Sequence, residues 1–384
     1  MDDAQAGGKT VQGNGDAGSR GGRLRSLDAF RGFDMLMILG LDAVMLTLAT
    51  WIWGDEPNWL RSQFSHREWF GLSLYDMVFP TFLFIAGIAF PFSYAKQVER
   101  GVPSLDIHLK IIRRAVTLIF LGIVINGFFK FNFTDFRYAS VLGKIGMAWA
   151  LAAILYIHCG RRARIAICGG MILLYAVLLR FVVAPDFPDA SSFSLEGNFI
   201  GWLDRHFMPG HLYERNLCEP SGIFCNIFAV PTAMLGIFAG EIVRSARMDG
   251  NRKTLALVAM AAGLLAAGLA VMPVVPLSKR LWTPSFLLVV AACSTAAFAA
   301  FYWLIDVKGR RAWATPFSVI GVNSIAAYFM ISIVDFQRTS WFFLRGVASW
   351  LPEAGANFLY ACGKLAVLWL VLWYFDRKKT YFKV

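Results

Sequence analysis

Apolar residues fall in long blocks separated by short polar stretches, and these blocks set the architecture. About 20 apolar residues carry a helix across a bilayer. Windows of that kind recur at roughly 28–53, 72–94, 109–129, 141–158, 165–184, 222–243, 254–275, 285–306, 314–335 and 355–376. The pattern predicts an all-α polytopic membrane protein with about ten to eleven transmembrane helices. One half does not repeat the other. The one long connection, 185–221, mixes Pro, Gly and Trp with two His and several acids. Residues 1–25 are Gly-rich and polar with no apolar run, so they read as a disordered cytoplasmic tail and not a signal peptide. Residues 26–384 then form a single transmembrane domain.

Composition narrows the class. Of the 384 residues, 57% are hydrophobic and 16% charged, against roughly 45–50% and about 25% for soluble domains. A soluble single-core enzyme and a disordered chain are both poor fits. The net charge of +12 would suit nucleic acid only if it formed one basic soluble face. Instead the cations sit in short clusters between apolar stretches, and one alternate set of loops holds twenty-three Lys and Arg against ten in the other. Such asymmetry marks the cytoplasmic side. It predicts cytoplasmic N- and C-termini, with loops 54–71 and 185–221 facing outward. The six cysteines contain no C-x-x-C pair, which leaves zinc and thiol-redox chemistry without support, and no metal is expected. Cys218 and Cys225 flank one loop-to-helix junction, as a pair or as two free thiols.

Ionisable groups at membrane depth are costly and therefore functional candidates. The first span carries Arg31, Asp34 and Asp42, and the second carries Asp76. Lys144 opens the fourth span; Asn323 and Lys364 lie midway in the ninth and tenth. A structural alternative pairs Asp42 or Asp76 with Lys144 or Lys364, and Asp34 with Arg31. His66, in NWLRSQFSHREWFG before the second span, stands between Phe64 and Trp69 at a helix mouth carrying Asp76. A carboxylate there can fix its tautomer and raise its basicity. His108 and His158 lie at helix ends, where solvation explains them. In the long loop, Trp202, His206, His211, Tyr213 and Glu214 make either a sugar-stacking surface or an ordinary loop.

The run RLRSLDAFRGFDMLMILGLDAV, followed by SHREWFGLSLYDMVFPTFLFIAGIAFPFS, resembles the bacterial relatives of heparan-α-glucosaminide N-acetyltransferase, a transmembrane acyltransferase family. VLGKIGMAWALA, GNFIGWLDRHFMPGHLYE, EPSGIFCNIFAVPTAMLGIFAGE and FYWLIDVKGRRAWATPFSVIGVNSIAAY extend the likeness over nearly the whole chain after the tail. The resemblance implies a multi-pass enzyme of the bacterial inner membrane. It would take acetyl-CoA from the cytoplasm and acetylate an amino sugar or glycan on the other side. The family's catalytic histidine falls on His66. An asparagine of the family's first helix aligns with Asp42, which unlike an amide can ionise. Lys144 stands where relatives carry arginine, losing a bidentate grip.

On this reading His66, Asp42 and Asp76 are the catalytic set, and Asn323, Lys144, Trp69, His211 and Glu214 surround the acceptor. Asn323 or helix-mouth N–H groups would face the oxyanion. Arg31, Arg113 and Arg114 would hold the CoA phosphates. His66 acts either as general base in direct transfer or as a transient acetyl carrier. The expected partners are the lipid bilayer and the two substrates, with no nucleic acid; a homodimer is left open. The rival class is a secondary transporter for amino sugars or cell-wall fragments, which shares intramembrane charge and broken helices.

Overall fold

The computed structural model describes residues 24–133, 135–213 and 215–381. Nearly all of the expected tail lies outside them, and Arg25 already opens the first helix. In chain order the helices are α1 (Arg25–Leu36), a π-helical turn (Met37–Leu41), α2 (Asp42–Trp53), α3 (Trp59–Gln63), α4 (Leu74–Glu99), α5 (Ser104–Ile125) and α6 (Val141–His158). They continue with α7 (Arg161–Phe181), α8 (Phe199–Phe207), α9 (Ile223–Phe228), α10 (Val230–Arg244), α11 (Gly250–Val271) and α12 (Pro284–Tyr302), extended by a π-helical turn (Trp303–Val307). Last come α13 (Thr315–Val322), α14 (Ser324–Ile333), α15 (Phe336–Ala348) and α16 (Glu353–Arg377).

All ten apolar windows are helical. Among the described residues eight helical stretches are long and apolar enough to span a membrane, or nine if α13 and α14, bent by 63°, count as one broken span. The window that fails is α5, whose first half carries Asp106, His108, Lys110, Arg113 and Arg114. α15 was not anticipated: it is short and two-faced, with Trp341, Phe342 and Phe343 exposed, a composition that lies along a membrane surface.

Apolar burial does little to hold helices together in lipid, so close backbone approach takes its place. α4 and α10 show how. A Cβ at Gly87 would run into the Ala233 carbonyl, and one at Gly236 into that of Phe84. The first span is broken at Gly40, whose φ of 134° belongs to glycine alone. Such π-turns mark functional positions more often than chance, and this one sits half a turn before Asp42.

Packing separates two cores. The larger, built around Phe84, Ile88, Ala148, Met234, Phe286 and Phe298, joins α4 to α12. The smaller, with Met35, Leu39, Ile320, Ala327, Leu368 and Leu372, joins the first span to α13, α14 and α16. Between them lies a small cavity of about 30 Å³ whose walls include Met35 and Ile38 on one side and Phe79, Phe82 and Ile145 on the other. Val141, Leu142 and Tyr328 also border a second cavity of about 100 Å³, which reaches Asn126, Arg137 and Ser140. The seam between the cores is therefore incompletely filled.

Candidate active site

The segment before α4 is held by local bonds. Asn58 caps α3 by accepting from the Arg61 N–H at 2.9 Å, and the Ser65 hydroxyl donates to the Arg61 carbonyl at 2.8 Å. Ser73 and Asp76 then form a reciprocal cap for α4: the Asp76 N–H donates to Ser73 Oγ at 3.2 Å and the Ser73 N–H to Asp76 Oδ2 at 3.3 Å. Oδ2 also accepts from Ser73 Oγ at 2.9 Å and from the Arg67 N–H at 3.2 Å. Asp76 is fully buried. With three N–H and O–H bonds already aimed at Oδ2, it is built as a carboxylate.

Its other oxygen faces His66. Nδ1 lies 2.8 Å from Asp76 Oδ1, while the ring, 46% exposed, leaves Nε2 without a protein partner among the described residues. The imidazole stacks on Tyr75, centroids 4.5 Å apart at 30°. Asp42 and Tyr328 lie within electrostatic reach of the Tyr75 hydroxyl. His66, Asp76, Tyr75 and Asp42 thus form one constellation across α2, the pre-α4 loop and α4. It stands at the mouth of the seam, since Phe79 and Ile38 lie one turn below Tyr75 and Asp42.

One member escaped the sequence reading. Lys279, in the turn between α11 and α12, places Nζ 3.0 Å from His66 Nδ1 and 3.3 Å from Asp76 Oδ1. Burial pulls its amine down to about 8, with Asp76 opposing the shift. The Gly71 N–H donates to the Leu277 carbonyl at 2.9 Å, and Arg280 Nε to that of Glu68 at 3.4 Å, docking this turn onto the histidine loop. In the sequence Lys279 is one more loop cation more than 200 residues away; no local pattern signals it.

Other expected residues fall elsewhere. Lys144 is fully buried. Nζ donates to the Pro220 carbonyl at 2.9 Å, lies 3.2 Å from Cys225 Sγ and sits 3.7 Å over the Trp282 ring. It is a core cation and offers no free donor to an acceptor. Asn323 sits at the kink between α13 and α14, donating to the Thr380 carbonyl beyond α16 at 3.2 Å. That places it towards the end of the bundle opposite His66. Asp34 does not pair with Arg31: that guanidinium is 3.8 Å from Asp28, and Asp34 is buried with one oxygen unpartnered. No ion pair joins Lys364 to Asp42 among the described residues; its stem packs beside Gly40.

Trp69 braces the long loop, donating to the Phe193 carbonyl at 2.7 Å. His211 turns to Asp135, 3.2 Å away, outside the constellation, and Glu214 lies outside the described residues. Cys218 and Cys225 are both buried, and no disulfide joins them. At the far end, Arg114 stacks 4.3 Å over Trp149 with its Nε unpartnered, and Arg31 lies within electrostatic reach. Arg113 is exposed and apart from them.

A second network closes the long loop. Glu219, fully buried, accepts two bonds from Arg137 at 2.6 and 2.8 Å. Tyr213 lies between the guanidiniums of Arg137 and Arg280, at 4.5 and 4.8 Å. Beside it Asp204, also buried, accepts from the Glu219 N–H at 3.1 Å, while its Oδ1 has no partner. Burial raises its carboxyl to about 8.

An imidazole with one nitrogen locked on a carboxylate and the other open to the solvent side is suited to taking a proton or an acyl group. A family profile described as a domain of unknown function, DUF5009, matches residues 23–185, the segment holding His66, Tyr75, Asp76 and Asp42. Human heparan-alpha-glucosaminide N-acetyltransferase is 25% identical over 360 residues, covering 80% of this chain and 52% of that protein. The mouse protein of the same name is 24% identical over 365 residues, covering 81% and 53%. The chain spans about half the length of these curated relatives. It is a distant relative of heparan-alpha-glucosaminide N-acetyltransferase.

Proposed function

We propose that the chain is a transmembrane acetyltransferase that moves an acetyl group from acetyl-CoA to an amino sugar or glycan, with His66 at the reacting centre. The observation that carries this reading is the His66–Asp76 pair with its open Nε2 at the mouth of the seam between the two cores. Asp76 holds the Nδ1 proton, so the Nε2 lone pair faces the acceptor. As the acceptor nitrogen attacks the thioester carbonyl, Nε2 takes its proton. The C–S bond then breaks, and the proton passes to the departing sulfur, leaving an acetamide and the CoA thiol. Direct transfer is preferred over an acetyl-histidine because it needs no stable acyl-imidazole beside water. Asp42, through Tyr75, acts on the acceptor side.

The charge asymmetry supports an orientation with the His66 end outward and Arg31 and Arg114 on the cytoplasmic side. These two arginines suit the CoA phosphates; the apolar seam between the two ends gives the pantetheine arm a path. The chain then works in the bacterial inner membrane. The breaks at Gly40 and at Asn323 favour the transporter reading, since broken helices build transporter sites.

Sealed, oriented vesicles decide between these readings. Acetyl-CoA is supplied on one face and an impermeant amino sugar on the other, with His66→Ala as control. Transfer across the membrane is expected, falling by ~10²–10⁴-fold in the variant. Transfer only when both substrates share a compartment defeats the transmembrane mechanism. Sugar uptake without acetylation or CoA binding supports the transporter.

A further inference from the structure

His66, Asp76 and Lys279 meet at a single nitrogen. Nδ1 has one bonding direction, yet it lies 2.8 Å from a carboxylate oxygen and 3.0 Å from an ammonium. It cannot donate to one and accept from the other. Asp76 is already fixed as a carboxylate by the Ser73 and Arg67 donors, so the Nδ1 proton goes to Oδ1. The Lys279 ammonium then donates to the same oxygen at 3.3 Å and stands beside an N–H.

The consequence is electrostatic. Asp76 alone would stabilise an imidazolium and hold His66 protonated, with no lone pair to offer. A cation 3.0 Å away opposes that state. We propose that Lys279 is a positioning residue that offsets Asp76 and keeps His66 neutral, so that Nε2 remains a base at neutral pH. The proposal rests on the reading of His66 as the base. The other groups around the ring do not supply this balance: Tyr75 stacks on its face, Asp42 lies behind Tyr75, and the Arg67 contribution is a backbone N–H. Arg280 is turned to Glu68 and Tyr213, and Lys144 is enclosed by Trp282 and Cys225. Both act on Lys279 as further cations.

The test is the titration of the His66 ring, followed by NMR of ring-labelled histidine in nanodisc-embedded protein and assigned by its loss in His66→Gln. Lys279→Met keeps the apolar stem and removes the charge; Lys279→Gln keeps a donor to Asp76 without charge. Both are expected to raise the His66 midpoint by about one to two pH units, and Lys279→Arg to stay near the parent value. In the acetyl-transfer assay the acidic limb of the rate profile should move upward in parallel. An unchanged or lowered midpoint in Lys279→Met and Lys279→Gln overturns the proposal. A midpoint that rises while the rate profile stays in place leaves the Lys279 effect standing and removes His66 as the base.

Discussion

Replacing Asp76 by asparagine tests the core of the site, because the surrounding donors dictate how the amide must sit. Three N–H or O–H groups point at Oδ2, from Ser73 N, Ser73 Oγ and Arg67 N. An NH₂ group cannot replace that acceptor, so the amide oxygen takes the Oδ2 position and the NH₂ faces His66. It then donates to Nδ1, which drives the ring proton to Nε2, the nitrogen needed as a base. The variant therefore enforces the wrong tautomer while preserving shape. The same change in a serine-protease triad costs about 10⁴ in kcat, and a lost general base about 10²–10⁴. For Asp76→Asn a fall of ~10²–10⁴ is expected, or about 2.7–5.5 kcal/mol of barrier. The stability cost is smaller. Lys279 loses its counter-ion, but an amine titrating at about 8 sheds its proton at pH 7 for about 1.4 kcal/mol. The assay is radiolabelled acetyl transfer in nanodiscs, with ¹⁵N shifts of His66 reporting the tautomer. Turnover within about tenfold of the parent, or an Nδ1–H tautomer retained in the variant, refutes the reasoning.

Asp42→Asn should lower transfer by more than about tenfold and alter the acidic limb of the pH–rate profile, because a carboxylate at that depth is costly without a use; unchanged kinetics and profile remove it from the mechanism. Asp204 holds its proton in the folded state up to about 8 and, unfolded, only to its ordinary 3.8. The folded state binds the extra proton, so this group makes stability fall as pH rises between about 4 and 8, by at most about 1.4 kcal/mol per pH unit. Asp204→Asn should flatten that slope in melting curves; an unchanged slope refutes the assignment. Gly87→Leu should abolish folded yield, since its Cβ meets the Ala233 carbonyl, whereas Gly169→Leu, with open space around it, should be neutral; equal yields would show that α4–α10 contact does not depend on close approach. Cysteines placed at Gly54 and Ser191 should label from outside with an impermeant thiol reagent, and those at Ser245 and Gly309 should not; the reverse pattern inverts the orientation.

What could be read from the sequence followed from local rules. Apolar blocks located every long helix, because a spanning segment declares itself within its own 20 residues. His66 and Asp76 stood ten residues apart at one helix mouth, and the S-L-Y-D spacing at Ser73 to Asp76 is itself a capping signal. Three things were not local. Lys279 reaches His66 by the docking of one turn onto another. Lys144 and Asn323 look alike as polar groups at membrane depth, yet their partners, Pro220 and Cys225 for one and Thr380 for the other, are fixed only by the assembled bundle. Arg31 has a carboxylate one turn away on either side, Asp28 and Asp34, and spacing alone does not say that it turns to Asp28 while Asp34 is buried.

Two cores make two cooperative units of unequal strength. The smaller, around Met35, Leu39, Ile320 and Leu368, has fewer buried side chains to hold it and should open at lower free energy, with faster amide exchange in α14 and α16. Asp76, His66 and Lys279 are all anchored to the larger unit, whereas Asp42 belongs to α2, which packs on α16. If the smaller unit loosens, the spacing between Tyr75 and Asp42 should change, while the imidazole and its two charged neighbours keep theirs. The second carboxylate is thus held near the histidine only while both cores are packed.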